Sequence, residues 1–355
     1  MRSIKAIAIS WTLWGLAYYL YSPYLTVFLK SIVKEDFIGV IYILSSLVGL
    51  VYAIIPLYTN KVKEVTIVSL ILSGLGLVLL SFSINPISVI ISIILYSMYW
   101  VSVPVFYLLM RDEVAKIWAI SMLPALLIPF ISENIIISLG LRYIFIISGI
   151  IMAFTAVPII NVEIKGRGVA TGKNNNFTPL IFTILPLSIS LPYLYIKIPL
   201  SLIPVIYAIG EFIGILMATY FSKMKRGLSL ALLSFSLIST NSILPFGAMF
   251  YGISEALTAL GVDNVEINDL KDSVKVTLVE ISLWLIGYTL ATALFVISPF
   301  LPTIYASLLA ILFGLLTLLV FPKVLKIIFV CKRRMKKCFE KYRGIEGISP
   351  YFKFA

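Results

Sequence analysis

Apolar stretches of about 20 residues, separated by short charged or turn-forming segments, repeat along the whole chain. The first runs from about Ile4 to Leu29, behind Arg2 and Lys5, and reads as a retained span rather than a cleaved leader. Span 2 covers about Phe37 to Tyr58. Span 3 runs from Val65 to Ile84 and stops at Asn85-Pro86, a dipeptide that turns the chain and breaks a helix. Span 4 reaches Met110, span 5 covers about Val114 to Leu139, and Gly140 with Arg142 marks a tight turn into span 6, which ends near Val162. A polar stretch, Asn161 to Thr178, interrupts the pattern with three glycines and an asparagine run. Span 7 is then expected from Thr178 to Ile196, and span 8 ends at Phe221. Span 9 covers about Leu228 to Thr240 and span 10 about Ile243 to Gly261. Span 11 runs from Val276 to Ile297, behind an acidic loop from Asp263 to Lys275, and span 12 ends near Phe321.

Runs this long without alternation predict helices, because only helices and closed barrels satisfy the backbone in lipid. Composition agrees. Hydrophobic residues make up 61% of the chain and charged residues only 12%, against about 25% charged in a soluble domain. The expected fold is therefore all-α and polytopic, with about 12 transmembrane helices. Its parts are a six-helix bundle over 1–162, a linker over 163–177, a second six-helix bundle over 178–322, and a basic tail over 323–355.

Charge sets the expected orientation. Of 28 Lys and Arg, 24 fall on the side that holds both termini and the 163–177 linker, and ten of these follow Pro322. By the positive-inside rule that side is the cytoplasm of the cell membrane. The mixed basic and apolar tail suits a helix lying on an anionic leaflet, not a nucleic-acid footprint. The chain has no His, and its two cysteines, Cys331 and Cys338, lie in the tail. No metal site or cofactor is expected.

Six spans, a basic joint and six more suggest a duplication. Span 2 leaves the membrane as Tyr58-Thr59-Asn60-Lys61-Val62-Lys63, and span 8 as Tyr220-Phe221-Ser222-Lys223-Met224-Lys225. At these residues the chain resembles the major facilitator superfamily. That family marks its 2–3 loop with Gly-x-x-x-Asp-Arg-x-Gly-Arg; here Pro56, Asn60, Lys61 and Lys63 stand at the Gly, Asp, Arg and second Gly. The resemblance implies two bundles rocking about a site between them, with spans 1, 4, 7 and 10 lining the cavity.

Those four spans carry the candidate chemistry. Trp11, Trp14, Gly15, Tyr18, Tyr21 and Ser22 share one arc of span 1; Tyr96, Tyr99, Trp100, Val103 and Tyr107 share a face of span 4. Pro186, Ser190 and Tyr193 group on span 7, and Tyr251, Glu255 and Thr258 on span 10. Trp14, Tyr18, Tyr99, Trp100, Tyr193 and Tyr251 are the expected substrate contacts, since rings with polar tips both stack and hydrogen-bond. The competing reading is an interfacial aromatic belt. Among acids inside spans, Glu211, Glu255 and Glu133 are the candidates for proton coupling, because an intramembrane carboxyl is costly and usually functional; the alternative for Glu211 is a neutral acid bonded to a neighbouring helix. Glu280 lies about one turn into span 11 and reads as interfacial.

The expected activity is secondary transport of a small organic solute by alternating access, with protons as a candidate coupling ion, and not enzymatic catalysis. The alternatives are a non-transporting receptor or assembly protein, and a membrane-embedded enzyme acting on a lipid. No phosphate-binding Gly-x-x-x-x-Gly-Lys-Ser/Thr loop is present to use ATP.

Overall fold

A computed structural model describes residues 2–110, 113–164, 177–193, 200–221, 228, 230–233, 250–263 and 265–319. The 165–176 part of the linker, most of the expected span 9, the start of span 10 and the tail lie outside the described residues. Within them the chain is helical, with no strand.

The elements are α1 (Arg2–Lys30), α2 (Glu35–Tyr58), α3 (Val62–Ser81), α4 (Pro86–Met110), α5 (Val114–Ser138) and α6 (Leu141–Ile159). After the linker come α7 (Thr178–Ser190), α8 (Ile203–Phe221), α9 (Phe250–Asp263), α10 (Leu270–Ile297) and α11 (Leu301–Leu319). The boundaries follow local chemistry. Asn85 caps α4 by accepting from the Ser88 amide at 2.9 Å, with Pro86 at the first helical position. Gly140, at φ 106°, takes the left-handed turn between α5 and α6. Prolines break α5 locally: Pro124 sits in a 3-10 segment, Leu123–Leu126, before the helix resumes at Ile128.

α10 starts earlier than the hydropathy pattern indicates. Asp269 caps it, its carboxylate accepting from the Asp272 amide at 2.7 Å. The stretch expected as the end of an acidic loop is thus the helix's first turns, where acids favour the dipole. Glu280 consequently lies ten residues in, ~15 Å along the axis at 1.5 Å per residue.

Among the described residues, eight helices are long and apolar enough to cross a membrane. α1 has the length but is not among them; its tryptophans and tyrosines lower its hydropathy. Large apolar side chains face outward, including Val51, Leu75, Ile91, Ile137, Phe212 and Leu308. The buried polar side chains are mostly serine and threonine. This distribution fits lipid outside and a packed interior, and the chain is a multi-pass membrane protein.

Interior contacts use small residues and hydroxyls, as expected where lipid gives no hydrophobic drive between helices. α3 packs on α6 with Gly74 against Gly149; a Cβ at Gly149 would lie 2.5 Å from the Gly74 carbonyl. Ser10 of α1 donates to the Thr155 carbonyl of α6 at 2.6 Å, and Ser73 of α3 to the Tyr96 carbonyl of α4 at 2.7 Å. α10 packs on both α2 and α7, and α8 on both α5 and α9. Helices from early and late in the sequence therefore meet along two seams.

Candidate functional site

α1 and α4 run antiparallel, since Trp11 meets Phe106 at 5.1 Å and Tyr21 meets Tyr96 at 5.9 Å. Beside them stand α2 and α10, and between these helices lies a cavity of about 160 Å³. Helical spacing decides which side chains reach it. Along α1 these are Trp11, Trp14, Tyr18, Tyr21, Ser22 and Leu25, three or four residues apart for the most part. Along α4 they are Tyr96, Tyr99, Trp100, Val103 and Tyr107, where the 3-10 segment Ser97–Val101 tightens the register. Trp100 fits because residue 49 of α2 is glycine: a Cβ there would lie 2.6 Å from its ring.

All five tryptophans of the chain, Trp11, Trp14, Trp100, Trp118 and Trp284, line this one cavity. Most belong to a continuous ring system. Trp11 stacks on Trp14 at 5.1 Å and 14°, and Trp14 on Tyr18 at 5.0 Å and 12°. Trp118 of α5 meets Trp11 edge-on at 5.1 Å. Tyr99 joins Trp14 to Trp100, at 6.1 and 4.9 Å. On the other wall Trp284 and Tyr288 of α10 pair at 5.4 Å, and Tyr42 of α2 meets Tyr288 at 5.1 Å. Offset and edge-on pairs of this kind add about 0.5–1.5 kcal/mol each beyond burial. The rings are thus held in place rather than free to swing.

Among the described residues, one charged side chain lines the cavity, Glu280 of α10. It is 4% exposed, and the Tyr107 hydroxyl donates to its Oε2 at 2.9 Å. The ion pairs among the described residues lie elsewhere: Lys30–Glu35, Lys116–Glu113 and Lys275–Asp272. The hydroxyls around the cavity are largely engaged within the protein. Tyr21 and Tyr96 bond each other, Ser45 bonds Ser97 at 2.8 Å, and Ser22 bonds Tyr207 at 3.2 Å. The buried indole N–H of Trp11 has no hydrogen-bond partner among the described residues.

The cavity is bracketed by contacts between early and late helices. Toward the N-terminal end of α1, α4 meets α10 through Tyr107–Glu280 and through Ser273, whose hydroxyl donates to the Pro104 carbonyl. Toward the other end of α1, Ser22 bonds Tyr207 of α8, and Thr26 donates to the Pro192 carbonyl at 3.5 Å.

Of the expected substrate contacts, Trp14, Tyr18, Tyr99 and Trp100 lie together on the cavity wall. Tyr193 ends the 3-10 segment after α7 and Tyr251 lies in the first turn of α9, but their side chains lie outside the described residues, as does that of Glu255. Glu211 is fully buried in α8 and Glu133 half-buried in α5; neither lines the cavity. Spans 1 and 4 line it as expected. Sequence reasoning missed α2 and α10, spans 2 and 11, which supply Tyr42, Ser45, Glu280, Trp284 and Tyr288. Leu191 and Thr258 are the contributions from near α7 and α9 among the described residues. A signal was available: Glu280, Trp284 and Tyr288 recur every four residues and so share one helical stripe.

The sequence matches no family model and no curated protein. Solved structures do resemble it. The human organic anion transporter MFSD10 (TETRAN) aligns with a TM-score of 0.62 at 13% identity, over 89% of this chain and 98% of that one. FucP, a major facilitator superfamily transporter in the outward conformation, aligns at 0.59 and 13%, over 88% of this chain and 97% of that one. A second FucP structure, of a variant of the E. coli fucose:proton symporter, aligns at 0.56 and 13%, with the same coverage. At this identity the likeness speaks for the fold, and the fold is that of the major facilitator superfamily.

Proposed function

We propose that the chain is a secondary transporter that moves a small organic solute across the cytoplasmic membrane by alternating access. The observation that carries this reading is the cavity itself. It lies between helices from early and late in the sequence, and all five tryptophans line it. A site reached from either side requires two sets of breakable contacts, one at each end. The Tyr107–Glu280 and Ser273–Pro104 contacts form one set, and Ser22–Tyr207 and Thr26–Pro192 the other. They are hydrogen bonds, each worth about 0.5–3 kcal/mol net, and water entering an opened end can take the place of the lost partner. The structural neighbours are described as an organic anion transporter and a fucose:proton symporter, which supports solute transport as the class of activity.

In this reading residues 1–162 and 178–322 are the two moving bundles and 163–177 joins them, with both termini and this joint in the cytoplasm. Trp14, Tyr18, Tyr99 and Trp100 contact substrate. Coupling to protons is assigned to Glu280, the acid on the cavity wall. A proton role for Glu211 or Glu133 would be exercised away from the substrate.

The test is counterflow. Purified protein in proteoliposomes loaded with unlabelled solute should take up the same labelled solute transiently above equilibrium. A solute that binds with the cavity's fluorescence signature yet shows no exchange under any gradient would overturn the transporter reading.

A further inference from the structure

We propose that the cavity selects an organic cation: a flat or aromatic solute carrying a quaternary or protonated nitrogen, held against indole and phenol faces with Glu280 as its counter-ion. The substrate class rests on the transporter reading for its movement, while the binding site stands on the cavity alone.

Three observations lead here. First, the wall is densely aromatic, with Trp11, Trp14, Trp100, Trp118 and Trp284 joined by seven tyrosines. The face of each ring is negative, so rings arranged about a space attract positive charge, tryptophan most strongly. Second, Glu280 is the one charged residue on that wall, and no Lys or Arg lines it, among the described residues. Its negative charge is balanced either by a proton or by a positive ligand, since an unpaired carboxylate so deeply buried is costly. An anionic solute would face a carboxylate with no cation to receive it. Third, several of the cavity hydroxyls already bond one another or the backbone: Tyr21 with Tyr96, Ser45 with Ser97, and Ser46 to the Tyr42 carbonyl at 3.2 Å. A sugar-like solute needs several donors and acceptors aimed at it.

The location of the tryptophans makes the test direct. Because every tryptophan of the chain lines the cavity, intrinsic fluorescence of the full-length protein reports on this site. Three probes of one shape separate the charge classes: 1-methyl-4-phenylpyridinium, uncharged 4-phenylpyridine at mildly alkaline pH, and biphenyl-4-carboxylate. The expected result is saturable quenching by the cation, roughly tenfold or more tighter than by either other probe. Glu280→Gln is expected to weaken the cation by roughly tenfold and leave 4-phenylpyridine unchanged. Equal or tighter binding of the neutral or anionic probe to the unaltered protein would overturn the proposal, whatever the variant does. So would a folded Glu280→Gln protein with full cation affinity. Proteoliposome counterflow separates the two claims: a cation that binds and is not exchanged counts against transport alone, whereas exchange of the neutral probe without cation binding counts against the cation site alone.

Discussion

The Tyr107 hydroxyl of α4 reaches across to Glu280 of α10 and donates to its Oε2 at 2.9 Å, between residues 173 apart in sequence. The bond joins an early helix to a late one at one end of the cavity, so it is at once a contact of the binding wall and a contact that must break if that end opens. Such a bond is worth about 0.5–1.5 kcal/mol net while the carboxyl is protonated, and about 1.5–3 kcal/mol when it is charged. Tyr107→Phe should therefore lower the thermal unfolding temperature of the ligand-free protein in detergent and speed solute release. An unfolding temperature and an exchange rate both equal to those of the unaltered protein would deny the bond any energetic role.

Protons and a cation compete for the same carboxyl if Glu280 is the counter-ion. Protonation removes the charge that attracts the ligand, so cation affinity should fall as the pH falls. The groups facing Glu280 from the packed helices are Tyr107 and Tyr99 of α4, with Trp284 and Tyr288 on its own helix. In Glu280→Gln the pH dependence should flatten, and in Glu211→Gln it should persist, since Glu211 does not line the cavity. Fluorescence titration at a series of pH values measures both. A pH dependence unchanged in Glu280→Gln would move the titrating group elsewhere.

Gly49 sets the seat of Trp100. An added Cβ would lie 2.6 Å from the Trp100 ring, and overpacking of this kind costs about 1–3 kcal/mol. Gly49→Ala should displace the indole, shift the tryptophan emission maximum and weaken probe binding, with a modest loss of stability. An unshifted spectrum together with full binding would show that the helix pair yields without moving the ring.

Topology has its own check. Single cysteines introduced at Gly168 and near the C-terminus, in a background lacking Cys331 and Cys338, should be protected from a membrane-impermeant maleimide in intact cells. A cysteine at Asn85, at the α3–α4 turn, should react. Labelling of Gly168 and the C-terminal position on opposite sides would break the twelve-span arrangement.

Much of this architecture was legible from the pattern of residues. A spanning helix is a local object: its length, its lack of charge and its terminating Asn-Pro or Gly are written in consecutive positions, as at Asn85-Pro86 and Gly140. The aromatic arcs of α1 and α4 were equally visible, because 100° per residue places Trp14 with Tyr18, and Tyr99 with Tyr96 and Val103, before any packing is known. The depth of Glu280 was not visible. The charged residues Lys271, Asp272 and Lys275 lower the local hydropathy, so the apolar run begins at Val276, whereas capping by Asp269 begins α10 at Leu270 and carries Glu280 toward the interior.

Chain order and periodicity specify a polytopic helical protein with aromatic faces on spans 1 and 4. They say which face of a helix is distinctive, but not which other helix that face meets. That choice depends on how closely backbones approach, through Gly74 against Gly149 and Gly49 against Trp100, and on bonds such as Tyr107–Glu280 between distant parts of the chain. Packing gathered tryptophans from four helices, α1, α4, α5 and α10, around one space, brought α2 and α10 to its wall, and left Glu211 off it.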